Sequence, residues 1–296
     1  MSAGSARKKY KALDQFEVLG ELGHGAASRI LHIRDPASYQ HFAMKVVIGR
    51  SADEQKYLDQ AKHEFEVAQK FDHPSLVKVY DIRVIRKWFR EREVRTLLEY
   101  VNGATLEQMK EPGLPLLVIV FPEVAGAVAY MHSCDVFHAD LKPNNIMVSR
   151  SGQVKVIDFG LAWTRGELKG RVQGTMGYLA PEQMSHRVVN EATDIFNFGA
   201  TMYRMFTGRL ASAGIADGGA VVMAGKTVIT PVRELKPDVP EALSDLVDLC
   251  CANKPLRRPA SMVEVARVLT TIREKMSLSI DDLPRLLRQL GHGAEE

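Results

Sequence analysis

The middle of the chain reads His138-Ala139-Asp140-Leu141-Lys142-Pro143-Asn144-Asn145-Ile146-Met147-Val148. This stretch places an aspartate, a lysine and two asparagines directly before an apolar run. The carboxylate of Asp140 is able to accept a hydroxyl proton and to orient that oxygen for attack. Asn145 offers a neutral oxygen, a kind of ligand that Mg²⁺ binds. Taken alone, however, the stretch is also explained by a polar turn.

A second polar turn, Asp158-Phe159-Gly160, follows the apolar run 154–157. A carboxylate at the end of a strand, beside a glycine, is able to reach a metal ion. An ordinary turn explains each motif by itself, but it does not explain both motifs in this order. The two motifs together therefore predict a catalytic site that binds a metal ion.

ATP carries concentrated negative charge, so a site for it needs backbone amides, a lysine and metal-binding carboxylates. The stretch 23–28 lies between two predicted strands, and its glycines would let the backbone approach phosphates closely. Lys45 lies inside the apolar run 42–47, where an unpaired ammonium is costly to bury. It needs a carboxylate or a phosphate, and Glu64 on the following predicted helix is a candidate. Taken alone, the glycines are also explained by an ordinary hairpin. Glu64 taken alone is also explained as an exposed carboxylate on a helix.

The chain has 296 residues, of which 46% are hydrophobic and 25% charged, as in an ordinary globular protein. A net charge of +3 gives no case for a nucleic-acid partner. Three irregularly spaced cysteines argue against a disulfide framework and favour the reducing cytosol. The N-terminus shows no secretory signal. Pro115 and Pro122 interrupt the apolar stretch 114–131, which is short for a bilayer, so we expect a buried helix and no membrane segment.

Strand-like patterns dominate the first third of the chain and helical patterns the remainder, with the change at Asn102-Gly103. This order predicts an α+β arrangement of two lobes with a cleft between them. The charged hairpin at 86–95 contains Trp88 and Phe89, which we expect to be packed aromatics rather than a platform for stacking nucleic acid. Strands are expected over 16–47, 76–101, 136–148 and 154–157, helices over 54–71, 121–133, 193–207, 240–251 and 261–275, and a loop over 228–240.

Seven ordered motifs resemble those of the eukaryotic-type (Hanks-type) serine/threonine protein kinases, and they are most similar to bacterial members. They are Gly23-x-Gly25-x-x-Ser28-x-Ile30, Ala43-Met44-Lys45, His138-x-Asp140 with Asn145, Asp158-Phe159-Gly160, Ala180-Pro181-Glu182, the stretch 194–199 and Arg258-Pro259. The resemblance covers about residues 12–272. It implies a bilobal protein-kinase-like fold with ATP in the cleft. The expected parts are a flexible basic tail over 1–11, a strand-rich N-lobe over 12–101, a helical C-lobe over 102–275 and a helical tail over 276–296.

The resemblance also implies roles for individual residues. Asp140 would be the catalytic base, and Lys142 would steady the γ-phosphate. Asn145 and Asp158 would bind Mg²⁺ or Mn²⁺. Lys45 would hold the α- and β-phosphates while paired with Glu64. The ATP pocket would be formed by Gly23, Gly25 and Ser28 at the phosphates and by Ile30, Ala43, Leu98, Glu99, Val101 and Met147 around the adenine, and Glu182 would pair with Arg258.

The residues at 140–145 and 174–182 resemble those of serine/threonine kinases and differ from those of tyrosine kinases. The resemblance thus implies a cytoplasmic enzyme that acts on proteins, with no nucleic-acid partner; a regulatory partner or a homodimer is left open. One alternative is a pseudokinase that binds nucleotide as a scaffold, but the catalytic and metal-binding residues are all present. The other is a small-molecule phosphotransferase, which would lack the segment 174–182.

Three positions depart from the family pattern. Ser28 replaces the third loop glycine, and Ala68 replaces a larger apolar residue that would stack under Phe159. Ala139 stands where many members have an arginine that grips an activation-segment phosphate. The activation segment, residues 160–180, holds two threonines, of which Thr175 is placed to contact Asp140 and Lys142 and Thr164 lies early, close behind Phe159. We therefore expect activity without a phosphate in this segment, although Arg165, Lys169 and Arg171 could hold one. Asn144 and Thr105 replace acids of basophilic relatives, so we expect no demand for basic residues before the acceptor.

Overall fold

The computed structural model describes residues 15–25, 27–51, 53–109, 111–167, 173–185, 189–211 and 229–292. The expected basic tail over 1–11 lies outside the described residues. The chain divides into two compact units: the part up to residue 70 together with 77–101, and residues 71–76 together with the chain from residue 102 onward. The first unit is built on a sheet and the second is mainly helical, as the sequence predicts.

The first unit consists of an antiparallel five-stranded sheet and one helix. Its elements are β1 (Glu17–His24), β2 (Ser28–Arg34), β3 (His41–Ile48), α1 (Gln55–Ala68), β4 (Val79–Lys87) and β5 (Arg90–Glu99), with strand order β1-β2-β3-β5-β4. Successive side chains of a strand point to opposite faces. Phe42 and Met44 therefore join a core on one face, whereas Val47 packs with Leu58 of α1 on the other.

The turn between β4 and β5 is formed by Trp88 and Phe89. The prediction that these aromatics pack is wrong, since Trp88 is 85% exposed and Phe89 is 101% exposed. Both residues have positive φ, at 52° and 65°. Positive φ at both central positions is the geometry of the two-residue hairpin turn that matches strand twist. The side chains of such a tight turn lie beyond the last strand pair, so neither ring reaches a face of the sheet.

The second unit is assembled around α2 (Gly113–Ser133), most of which is buried. The expectation of a buried helix in the stretch 114–131 is confirmed, whereas the expected bounds 121–133 are wrong, because the helix begins at Gly113 and continues through Pro122. Pro115 lies in the first turn, where a backbone N–H has no acceptor within the helix, so it does not prevent the start. Burial of the apolar side chains on both sides of Pro122 outweighs the one backbone hydrogen bond that proline removes.

Among the described residues, α2 alone has the length and apolar composition that a membrane crossing would require. The expectation that this stretch is short for a bilayer is therefore wrong, because the full helix has 21 residues. Its most apolar window is 67% buried within the unit, as in the core helix of a globular fold.

The second unit also contains five short strands and six further α-helices among the residues that the structure describes. They are β6 (Gly103–Thr105), β7 (Val136–Phe137), β8 (Ile146–Ser149), β9 (Val154–Val156), β10 (Trp163–Thr164), α3 (Pro181–Ser185), α4 (Glu191–Thr207), α5 (Val232–Leu235), α6 (Glu241–Cys250), α7 (Met262–Lys275) and α8 (Leu283–Gln289). Strands β6, β8 and β9 form one small antiparallel sheet, and β7 pairs with β10. Helix α4 begins with a capping box between Asn190 and Thr193 and ends at Gly208, whose φ of 72° suits glycine.

In three segments of this unit, the observed secondary structure differs from the prediction or is more detailed than the prediction. The predicted strand over 136–148 consists of β7, a loop, a short 3₁₀ helix at Pro143–Asn145 and β8. The predicted loop over 228–240 contains α5. Within the expected tail, α8 buries Leu283 and Leu287 and packs against α2. Residues 283–289 therefore contribute to the core of the second unit.

Candidate active site

The sheet register places four of the predicted ATP-site residues on one face of the first unit. Ile30 lies opposite Lys45, and Ala43 lies opposite Leu98. Cross-strand partners share a face, and so do residues two apart along a strand. The four side chains are therefore neighbours on the face that also carries α1.

Lys45 is held by Glu64 of α1. Its Nζ atom lies 2.7 Å from the Glu64 Oε2 atom, and the two side chains are 17% and 5% exposed. Either charge alone would be costly to bury, whereas the pair satisfies both. The carboxylate partner that the sequence requires for Lys45 is thus present.

The glycine-bearing turn lies at the end of the same cross-strand row. Gly23 is opposite Ile30, and the Gly25 N–H donates to the Ser28 carbonyl at 2.8 Å. A Cβ atom on Gly25 would come within 2.9 Å of Ser28 Oγ, whereas one on Gly23 would meet nothing within 4 Å. Ser28 therefore fills room that a third glycine would leave open, while the backbone at Gly23 stays accessible.

The end of β5 is tied to the start of β4. The Glu99 N–H donates to the Lys78 carbonyl at 2.8 Å, and the Glu99 carboxylate accepts from the Lys78 N–H at 3.0 Å. Val101 lies beyond the ladder of the sheet. Met147, predicted to contact adenine, is a half-buried residue of β8 in the second unit.

Three donors converge on the carboxylate of Asp140 in the second unit. Lys142 Nζ lies 2.7 Å from Oδ2, and both the N–H and the hydroxyl of Thr175 donate to Oδ1 at 2.8 Å. Lys142 also donates to Thr175 Oγ1 at 2.7 Å. Because Asp140 is only 7% exposed, these contacts determine the direction in which its carboxylate points.

The two predicted metal ligands lie at neighbouring strand ends. The Asn145 carbonyl accepts from the N–H of Ile157 at 2.9 Å, which brings Asp158 to the same end of the β8–β9 pair. Asn145 Nδ2 donates to the Asp140 carbonyl at 2.9 Å, and this orients its amide group. Asp158 has a φ of 67°, and its Oδ1 accepts from Gly160 N–H at 3.2 Å. An amide oxygen and a carboxylate form a donor set that suits Mg²⁺.

Asp194 supports the loop that carries Asp140, a role that the sequence reasoning missed. It is fully buried at the start of α4 and accepts hydrogen bonds from His132 Nε2 at 2.8 Å, His138 N–H at 2.8 Å and Ala139 N–H at 2.7 Å. Burial by itself raises the pKa of Asp194. The hydrogen bond and charge of His132, with smaller contributions from the charge of His138 and from the Ala139 amide, outweigh it, so the pKa is lowered.

Two further side chains hold the same loop by its carbonyls. Gln183 Nε2 donates to the Ala139 carbonyl at 3.0 Å, and Thr201 Oγ1 donates to the Leu141 carbonyl at 3.2 Å. Ala139 itself has a φ of 63°, a strained conformation for alanine that these contacts stabilise. The motif at 194–199 marked the region, but sequence spacing carries no signal for these pairings.

The activation segment is tied down near its start. Thr164 pairs with Val136 in the β7–β10 ladder. Arg165, considered above as a phosphate ligand, lies 2.7 Å from Asp135 and 2.9 Å from Glu191. Lys169 and Arg171, considered with it, lie outside the described residues.

Phe159 is fully buried, and its ring centroid lies 5.2 Å from that of Phe71 in an edge-to-face arrangement. The sequence reasoning did not single out Phe71 as a partner of this motif. At the far end of the segment, Arg258 forms two hydrogen bonds with Glu182, at 2.6 and 2.9 Å, as the resemblance implies.

Comparison with known proteins gives a family and several relatives. The family model described as the protein kinase domain matches residues 16–269. Serine/threonine-protein kinase PknA of Corynebacterium glutamicum is 28% identical over 85% of this chain and 55% of its own length. PrkC of Bacillus subtilis is 24% identical over 82% of this chain and 38% of its own length. PknA of Mycobacterium tuberculosis is 26% identical over 84% of this chain and 59% of its own length. The chain thus spans about half the length of the relatives it matches. These relatives are bacterial, in agreement with the resemblance seen in the sequence.

Proposed function

Because this chain belongs to the protein kinase family, we propose that it transfers the γ-phosphate of ATP to serine or threonine hydroxyls of other proteins. The observation that carries the proposal is the Asp140 carboxylate, which is buried and oriented by Lys142 and Thr175, while the backbone carbonyl of Asp140 accepts a hydrogen bond from Asn145 Nδ2. A carboxylate held in this way is suited to receive a proton from an attacking hydroxyl.

Each residue has a role in this proposal. Asp140 orients the acceptor hydroxyl and takes its proton as the oxygen attacks the γ-phosphorus and ADP leaves. Lys142 faces the same carboxylate and would neutralise charge on the transferred group. Lys45, positioned by Glu64, would bind the α- and β-phosphates. Asn145 and Asp158 would hold Mg²⁺ or Mn²⁺, which supplies charge neutralisation at the phosphates when bound.

The choice of serine and threonine rests on Lys142 and Thr175, whose mutual hydrogen bond is part of the Asp140 site, and on the printed names of the relatives. The proposal includes a cytoplasmic setting and protein substrates without a demand for upstream basic residues, since Asn144 is exposed and uncharged. A peptide-array profile dominated by upstream arginine would contradict the substrate part alone.

The central experiment is mass spectrometry of the purified chain after incubation with ATP and Mg²⁺, with a generic protein acceptor added. We expect phosphoserine or phosphothreonine on the acceptor, and no transfer when the metal is chelated. Lys45→Met, Asp140→Asn and Asp158→Ala are expected to abolish transfer, because each removes a charge-clamping group worth several kcal/mol in the transition state.

Thermal unfolding of the same variants provides the control, since loss of transfer is informative only in a folded protein. Near-wild-type transfer by a folded Asp140→Asn protein would contradict the catalytic assignment. Nucleotide binding without any transfer by the wild type would favour the pseudokinase.

A further inference from the structure

The turn between β4 and β5 exposes two large aromatic side chains that the fold does not use. We call Trp88 and Phe89 the aromatic tip. Their exposures of 85% and 101% are among the largest of any apolar side chain in the described residues. Exposed aromatic surface of this size is unfavourable in water unless something covers it.

The backbone conformation of the aromatic tip is also unfavourable for tryptophan and phenylalanine. Both residues lie at positive φ, where Asn-Gly is the usual pair and bulky side chains are outliers. The turn geometry therefore does not explain why a tryptophan and a phenylalanine occupy it. Since Tyr39 is also exposed and at positive φ, it is the adjacent pair of aromatics together with the charges beside it that points to a role in binding.

Basic side chains surround the aromatic tip. Lys87 and Arg90 lie directly opposite each other at the last strand pair below it, an arrangement of like charges that destabilises a hairpin. Neither has an ion-pair partner among the residues that the structure describes. With Arg50 and Arg92 they line a hollow of about 530 Å³, to which Trp88 and Glu93 also contribute. We call these four residues the basic collar.

The acidic residues of the hairpin do not neutralise the basic collar. Glu91 is 2.7 Å from Lys62 and 3.1 Å from Arg86, so its carboxylate is already used. Glu93 is paired with Arg95. Arg92 donates to backbone carbonyls at Gly49 and Arg50, which keeps its positive charge uncompensated.

We propose that the aromatic tip and the basic collar form a docking surface for an anionic lipid bilayer. The aromatic tip would enter the interface, where tryptophan is enriched because its ring is amphipathic. Lys87 and Arg90 lie one residue below the tip, and with the rest of the basic collar they would meet the anionic headgroups. The opposite charges of collar and membrane are the argument for this occupant. A nucleic acid would need a groove that follows its backbone, whereas both rings are exposed at a tight turn and Phe89 lines no part of the hollow beside Trp88.

The experiment measures binding of the whole chain to vesicles by tryptophan fluorescence and by sedimentation. The chain has two tryptophans, so a Trp163→Phe background leaves Trp88 as the reporter. With vesicles of phosphatidylcholine and phosphatidylserine we expect a blue shift and co-sedimentation, both weakened by added salt. Vesicles of phosphatidylcholine alone should bind far less.

Two variants separate the parts of the surface without threatening the fold. Trp88→Asn with Phe89→Gly introduces the pair that this turn prefers, so its thermal stability should be equal or higher while sedimentation with vesicles is lost. Lys87→Gln with Arg90→Gln should lower partitioning roughly tenfold or more. Tyr39→Gly is the matched control, because Tyr39 is another exposed aromatic at positive φ, 68% exposed with a φ of 58°. It should bind like wild type.

Several results would overturn the proposal. Sedimentation of the Trp88→Asn, Phe89→Gly double variant at the wild-type level would show that the aromatic tip is not involved. Equal binding to neutral and anionic vesicles would exclude a role for the basic collar. Binding to poly-glutamate or to a single-stranded oligonucleotide, without binding to vesicles, would assign the surface to a different class of partner.

Discussion

At the scale of single residues, Thr175 joins the two charged groups of the candidate active site. Its hydroxyl donates to Asp140 and accepts from Lys142, at 2.8 and 2.7 Å. A hydroxyl is able to do both at once because it carries one proton and two lone pairs. Removing it would leave the carboxylate and the ammonium without their common partner.

We predict that Thr175→Val lowers kcat about ten- to a hundredfold, because hydrogen bonds to charged groups are worth about 1.5–3 kcal/mol. Thr175→Ser keeps the hydroxyl and should retain most activity. Steady-state kinetics on a protein acceptor, with KM for ATP measured in parallel, provides the check. A valine variant as active as the serine variant would show that this hydroxyl does not position Asp140.

Asp194 stabilises the loop before Asp140, because it accepts hydrogen bonds from the backbone N–H groups of His138 and Ala139 and is paired with His132. We predict that Asp194→Asn lowers the free energy of unfolding by about 3 kcal/mol or more at neutral pH, because it breaks a buried pair. Urea unfolding measures this. Asp238→Asn, at an exposed position, should change the free energy of unfolding by less than about 0.5 kcal/mol.

The lowered pKa of Asp194 gives this stabilisation a defined pH dependence. A carboxyl whose pKa is lower in the folded state contributes fully above its unfolded pKa, here 3.8, and loses that contribution as the pH falls through the folded value. The difference in unfolding free energy between wild type and Asp194→Asn should therefore be largest at neutral pH and shrink below pH 3.8. A difference that is constant across this range would contradict the lowered pKa.

At the scale of secondary-structure elements, Arg258 connects segments that are distant in the chain. Its fully buried guanidinium binds Glu182 of α3, the Ala192 carbonyl in α4 at 2.7 Å and the Ala252 carbonyl after α6 at 2.8 Å. One side chain thus satisfies groups at the ends of three helices. Glu182 in turn accepts from Thr193 at 3.2 Å, which extends the network into α4.

We predict that Arg258→Met lowers the free energy of unfolding by about 3–5 kcal/mol, because Glu182 is left buried and unpaired. The control is Arg285→Met, which removes an ion pair with Asp282 whose arginine is 60% exposed; it should cost less than about 1 kcal/mol. Chemical denaturation of both variants under one set of conditions makes the comparison. Equal losses would mean that burial does not set the strength of the Arg258 pair.

At the scale of the whole molecule, the described parts of the activation segment are held by contacts that need no phosphate. Thr164 is in the β7–β10 ladder, Arg165 is bound to two carboxylates, and the loop at Ala139 is anchored by Asp194. Because Ala139 replaces the arginine that would grip a phosphate, a phosphorylated Thr164 would gain no partner from the catalytic loop.

We predict that phosphatase-treated enzyme and Thr164→Ala both keep initial rates within tenfold of untreated enzyme, or about 1.4 kcal/mol in activation free energy. The measurement is an initial-rate assay on an exogenous protein, after the phosphorylation state has been checked by mass spectrometry. A larger loss on dephosphorylation would mean that a phosphate orders the segment in spite of Ala139.

Much of this protein could be predicted from short stretches of sequence. The spacing of apolar residues predicts most strands and helices, because the type of an element depends mainly on the pattern within its own short stretch of sequence. The expected partner of Lys45 was found because a buried ammonium needs a carboxylate and Glu64 lies on the next helix. Pro115 and Pro122 favour a later start of α2 than the structure has, because the local sequence does not report how deeply a helix is buried. The exposure of Trp88 and Phe89 runs against the usual burial of aromatic residues, so composition does not predict it.

The family and the set of candidate catalytic residues thus follow from the amino-acid sequence, because short motifs carry the identities and the spacing of these residues. Which distant groups hold those motifs in place is visible only in the folded chain. Asp194 reaches Ala139 across 55 residues, and residues 71–76 join the second unit through the Val156 N–H, which donates to Ser75 at 2.8 Å. Such pairings depend on how helices and strands pack, and neither local propensity nor periodicity reports them.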